Sequence, residues 1–128
     1  LVQLREIESE LKNLDVQLLA ISPDKPSKIR ETIDKHKMSF ILLSDSDMVA
    51  ARSFRVAYKL DDQTLAEFKK YNIDVEDASG QNHHMLPVPA VFLVTMNGLI
   101  QFEYVNPDYK VRLDPELLVA AAKIIFQK

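Results

Sequence analysis

The sequence predicts a layered α/β domain, and three features of it carry the prediction. Apolar residues recur at helical spacing in several stretches, and short runs rich in Val, Ile and Leu stand between them. Helix alternates with strand along most of the chain, which ends on a hairpin and a last helix. Right-handed crossovers make the first strands parallel and leave the hairpin at one side of the sheet.

The chain is organised around Leu86-Pro87-Val88-Pro89-Ala90-Val91-Phe92-Leu93-Val94. A run so short and so rich in Val and Phe reads as a strand covered on both faces. Proline cannot donate to a ladder, so Pro87 and Pro89 place a bend or bulge at the strand's mouth and not in its middle. Asn97-Gly98 suits the two positive φ angles of a type I′ turn, which folds residues 99–105 back antiparallel.

The other elements follow in order. Leu1, Leu4, Ile7, Leu11 and Leu14 give an amphipathic helix with one buried stripe. Residues 16–21 form a short buried strand that Ser22-Pro23 ends. Asp24 is expected to cap a helix with Ile29 and Ile33 inward and Lys35-His36-Lys37 at its last turn. Residues 40–43 make a second buried strand, and Asp45-Ser46-Asp47 offers acceptors to a short helix through Phe54. Residues 56–60 read as extended, and Asp61-Asp62 caps a helix that turns Leu65, Phe68 and Tyr71 inward. From Asp74 to Met85 the polar sequence reads as a mobile loop. Asp114-Pro115-Glu116 starts the last helix with a cap, a proline at the first helical position and an early acid. Its expected buried face is Leu117, Leu118, Ala121, Ile124 and Ile125.

With 128 residues, the chain is expected to be a single domain, residues 1–128, able to bury roughly two thirds of its unfolded surface. Hydrophobic content of 47% with 27% charge is that of a globular protein, and a net charge of -3 offers no basic field for nucleic acid. No apolar run approaches the roughly 20 residues that span a bilayer, and no signal peptide is legible, so the expected location is cytoplasmic. Cysteine is absent from the sequence, which excludes a disulfide, a thiolate nucleophile and a zinc–thiolate site within it. The chain starts at Leu1, already inside a helical pattern, which suggests a longer natural protein.

Residues 19–23, 39–45, 86–90 and 104–109 resemble the successive blocks of the peroxiredoxin-like branch of the alkyl hydroperoxide reductase and thiol-specific antioxidant family. The resemblance covers nearly the whole chain and implies a thioredoxin-like fold, a central mixed sheet flanked by helices. In that family a Trp-Cys-Pro-x-Cys segment precedes the helix that Gln3-Leu4-Arg5-Glu6 resembles. Here that segment, and the central strand before it, are absent, so two apolar strands are expected to show open edges.

The resemblance implies thiol-dependent reduction of hydrogen peroxide or alkyl hydroperoxides by the parent protein, with a thioredoxin-type dithiol protein as reductant. The cysteine-free chain is itself expected to be inert. The oligomeric state stays open, a homodimer included, and no cofactor is expected. A redox-inactive thioredoxin-fold module that binds a protein partner is the alternative. Pro89, with Val88, resembles the proline that shapes the substrate or partner groove in thioredoxin-like proteins, and a cis bond before Pro89 is expected. No catalytic residue is expected within the chain. His83-His84-Met85 could be read as a soft metal site, but adjacent histidines point apart and a solvated loop is favoured. Capping likewise explains Asp45 and Asp47 better than acid–base work or magnesium, and packing on the sheet explains Tyr109 and Arg112 better than a ligand contact.

Overall fold

A computed structural model describes residues 2–108 and 111–126. Helix α1 (Val2–Asn13) buries Ile7 and Leu11, with Leu4 and Leu14 at the margin, as its apolar spacing requires. Leu1 lies outside the described residues. On the opposite face, Arg5 donates from Nη1 to the His36 carbonyl at 2.6 Å, which ties α1 to the end of the next helix.

Strand β1 (Leu19–Ser22) and strand β2 (Ile41–Ser44) pair in parallel, with Leu19 opposite Ile41 and Ser22 opposite Ser44. Helix α2 (Pro26–His36) is their crossover and buries Ile29. Its start differs from expectation. Lys25 occupies the cap position without a side-chain bond, while the Asp24 carbonyl accepts from the Ser44 hydroxyl at 2.6 Å. Pro26 in the first helical turn accounts for the change, since it needs no amide partner and presets the helical φ.

The two strands are also less covered than expected. Leu42 is buried, whereas Leu19 and Ile21 are 49% exposed and Ile41 and Leu43 are 43% exposed. Alternation along a strand explains this: one face meets the α2 layer and the other is left open.

Helix α3 (Val49–Ser53) is capped from a distance by Asp45, whose two carboxylate oxygens accept the Ala50 and Ala51 amides at 3.0 and 2.9 Å. Strand β3 (Ala57–Lys59) leads to helix α4 (Asp62–Lys70), which Asp61 caps by accepting the Thr64 amide at 2.7 Å. Leu65 and Phe68 turn partly inward, but Tyr71 is 77% exposed because α4 has already ended.

The polar stretch expected to be a mobile loop is built. Helix α5 (Val75–Ser79) is capped by Asp74, which accepts the Asp77 amide at 3.1 Å, and Gly80 ends it at φ 71°. Strand β4 (Met85–Pro87) then pairs antiparallel with β3.

The run around Pro89 therefore splits into two strands. Strand β5 (Ala90–Val94) begins after Pro89 and pairs antiparallel with strand β6 (Ile100–Val105). Their turn is not type I′: Gly98 has φ 84° but Asn97 is not among the positive-φ residues. The Gly98 amide bonds the Thr95 carbonyl at 2.9 Å and the Thr95 amide bonds the Leu99 carbonyl at 2.8 Å, a three-residue connection needing one glycine.

Helix α6 (Pro115–Phe126) starts where Asp114 accepts the Glu116 amide at 2.8 Å. Its buried residues are Leu118, Val119 and Ala122; Leu117 and Ile124 are 53% and 79% exposed, contrary to expectation. Apolar residues almost encircle this helix, so packing against α1 and β5 selects the face. Ile7 and Leu11 of α1, Leu93 of β5 and the three α6 residues form one core cluster.

Among the described residues the strands form three two-stranded sheets, β1–β2, β3–β4 and β5–β6. No ladder joins β1 to β5, in keeping with the open edges expected of them.

Candidate functional site

Val88 and Pro89 sit where the chain changes partner strand. On the β4 side, Pro87 lies opposite Ala57 and the Val88 amide donates to the Val56 carbonyl at 2.7 Å. On the β5 side, the Pro89 carbonyl accepts from the Asn106 amide at 3.3 Å and Ala90 lies opposite Val105. The missing N–H of Pro89 thus falls between two ladders, where proline is best tolerated.

The expected cis bond before Pro89 is corrected: the described residues contain no cis peptide. The bend is made by the switch from β3 to β6 instead. Residues 85–92 are all half-buried, and Phe92, just inside β5, stacks on Phe54 with ring centroids 4.6 Å apart. Val91 and Leu4 both pack against the core cluster, so α1 and the first turn of β5 share one apolar layer.

This mouth holds no nucleophile and no titratable side chain of its own. Its chemistry is that of a wall: half-buried apolar side chains on a backbone held from both sides. Asn106 supports it, accepting the Asp108 amide at 2.9 Å through Oδ1 while its Nδ2 reaches the Tyr104 hydroxyl at 3.4 Å. Tyr109 lies outside the described residues, and Arg112 is exposed.

The histidines point apart. His83 lies between the Ser46 carbonyl, 2.7 Å from Nε2, and the Met85 amide, 3.0 Å from Nδ1. His84 Nε2 lies 3.6 Å from the Glu76 carboxylate. Among the described residues no three of His, Asp and Glu are grouped so as to hold a metal ion. Asp45 is a cap, as read from the sequence, but Asp47 accepts from Gln81 Nε2 at 3.0 Å and so ties the β2–α3 turn to the segment after α5. That clamp escaped sequence reasoning, because 34 positions separate its partners. A recess of about 290 Å³, lined by Asp62, Leu65, Lys69, Ile73, Glu76 and His84 among others, opens between α4 and α5, and neither Val88 nor Pro89 lines it.

The architecture is thioredoxin-like. The solved structure of Enterococcus faecalis AhpC superposes with a TM-score of 0.72 at 21% identity, covering 98% of this chain and 63% of that one. The AhpC/TSA family matches residues 1–103, and the chain is a peroxiredoxin-like member of that family. A putative peroxiredoxin bcp of Haemophilus influenzae is 45% identical over 53 residues, which are 41% of this chain and 34% of that protein. Peroxiredoxin Bcp of Escherichia coli K12 is 42% identical over 53 residues, with the same coverage. These matches span about a third of the curated relatives' length. No helix among the described residues is long and apolar enough to cross a membrane.

Proposed function

We propose that this chain is the thioredoxin-fold scaffold of a thiol-dependent peroxidase that reduces hydrogen peroxide or alkyl hydroperoxides. Family membership over residues 1–103 carries the reading. The 128 residues contain no cysteine, so the sulfur comes from a part of the protein beyond them. In that reaction a thiolate attacks one peroxide oxygen, the O–O bond breaks, and the leaving oxygen departs as an alcohol or water once protonated. The resulting sulfenic acid condenses with a second thiol, releasing water and forming a disulfide that a dithiol protein reduces by exchange. Val88 and Pro89 form the apolar wall of the groove, and residues 1–128 belong to one domain completed by the sulfur-bearing part.

By itself the chain is inert, because serine, threonine and methionine cannot run a sulfenic acid and disulfide cycle. The absence of cysteine favours one second reading, a redox-inactive module that binds a protein partner at the same groove. The experiment follows peroxide consumption, with a thioredoxin-type reductant, by this chain and by the natural protein that contains it. Activity in the natural protein alone is the expected result. A natural protein that is folded and carries cysteines, yet consumes no more peroxide than the chain, overturns the peroxidase reading in favour of the binding module.

A further inference from the structure

His83 has no part in the proposed peroxidase chemistry. Its Nδ1 lies 3.0 Å from the Met85 amide, which can only donate, so Nδ1 carries a lone pair and no proton. A neutral ring then has its proton on Nε2, and that atom donates to the Ser46 carbonyl at 2.7 Å. One imidazole therefore fastens the start of β4 to the β2–α3 turn. The residue it bridges is strained: His84 has φ 55°, where residues with a Cβ seldom rest. The His84 carbonyl in turn accepts the Leu60 amide at 2.8 Å, next to the β3–β4 ladder, and the Val88 amide closes the other end of that pairing on Val56.

We infer that His83 is a pH-sensitive latch: neutral, it holds the residue 83–85 bend closed, and protonated on Nδ1 it releases the Met85 amide. A second proton places two N–H groups face to face, so the bond is lost and the strain at His84 is no longer offset. Protonation sets the sign: the latch is closed while the ring is neutral and open once it is charged.

The charged groups on the packed elements leave this assignment intact. Asp45 is engaged by the Ala50 and Ala51 amides, and Asp47 by Gln81. Lys59 lies opposite Met85 in the ladder. Glu76 of α5 faces His84, whose own protonation strengthens that pair and so works in the opposite direction. The inference rests on these bonds and is independent of the peroxidase reading.

The test is NMR on the natural protein. Ring nitrogen signals give the His83 tautomer and titration, and amide exchange gives protection at Met85, with Leu93 in the core as reference. The expected result is a proton on Nε2 while the ring is neutral and a fall in Met85 protection of about fivefold once it is charged, the size of one lost hydrogen bond. His84→Asn, which tolerates the positive φ and removes the second imidazole, should keep this fall. His83→Asn, which offers a non-titrating acceptor to the amide, should abolish it. The opposite tautomer, protection at Met85 that stays level while His83 titrates, or the same fall in His83→Asn overturns the latch. So does a His83 that stays neutral until Leu93 loses protection as well.

Discussion

Asp61 accepts the Thr64 amide at 2.7 Å, and the Thr64 hydroxyl first, then that amide, hold its carboxyl below the ordinary value of 3.8. Because the folded-state value is depressed, the contribution is present above the unfolded value and is lost as pH falls through the folded one. Asp61→Asn keeps a cap acceptor without a charge, so it should leave α4 formed at neutral pH and flatten stability below about pH 4. Denaturant midpoints measured between about pH 5 and 2.5 check this; a variant whose acid limb matches that of the parent chain refutes it. The effect should be small, since Asp61 is exposed and solvent screens it. Capping of this kind was legible from sequence, because a cap and its amide lie within a few residues. The Asp47–Gln81 and His83–Ser46 bonds were not, because nothing local links positions so far apart.

At the scale of the element, α6 separates what periodicity can decide from what it cannot. Its start at Asp114-Pro115 was readable. Its buried face was not, because only Glu116 and Lys123 mark a polar side and the apolar Leu117 and Ile124 lie next to it. Leu118 is 3% exposed inside the core cluster, whereas Leu117 beside it is 53% exposed. Leu118→Ala should therefore cost about 2–5 kcal/mol and Leu117→Ala less than about 1 kcal/mol. Chemical denaturation of the two variants decides the phase of the helix, and equal losses would mean that it is rotated from the one described. In α1, by contrast, Arg5, Glu6, Glu10 and Lys12 mark the outer face, and Ile7 and Leu11 are buried as read, although Glu8 is buried too, where its carboxylate accepts from the Ser39 hydroxyl. Met96-Asn97-Gly98 is intermediate: the turn was placed, but its type depended on whether Asn97 also took a positive φ, and it does not.

At the scale of the whole molecule, the three two-stranded sheets among the described residues leave β1 and β5 each hydrogen-bonded there on one edge. The peroxidase proposal predicts a further strand, from outside the 128 residues, between them. Amides on the outer edge of β1 (Leu19–Ser22) and of β5 (Ala90–Val94) should then exchange quickly in the 128-residue chain and slowly in the natural protein. Equal exchange in both, measured on the same amides, would show that nothing fills the space. The half-exposed Leu19, Ile21, Ile41 and Leu43 belong to the same question, since apolar positions this open are where the strands lack cover.

The sequence by itself determined the order of helices and strands apart from α5 and β4, the caps at Asp45, Asp61 and Asp114, the hairpin after Val94, and the peroxiredoxin-like resemblance. These are short-range properties, set by spacing, by proline and glycine, and by side chains that bond amides a few residues away. Tertiary structure alone decided that the Pro89 bond is trans, that the run around it divides between β3 and β6, and which face α6 buries. It also decided that the stretch from Asp74 to Met85 folds into a helix and a strand clamped to the β2–α3 turn. Each of these depends on a partner tens of residues away, and a backbone or side-chain choice that is nearly neutral locally is settled by the contacts such a partner provides.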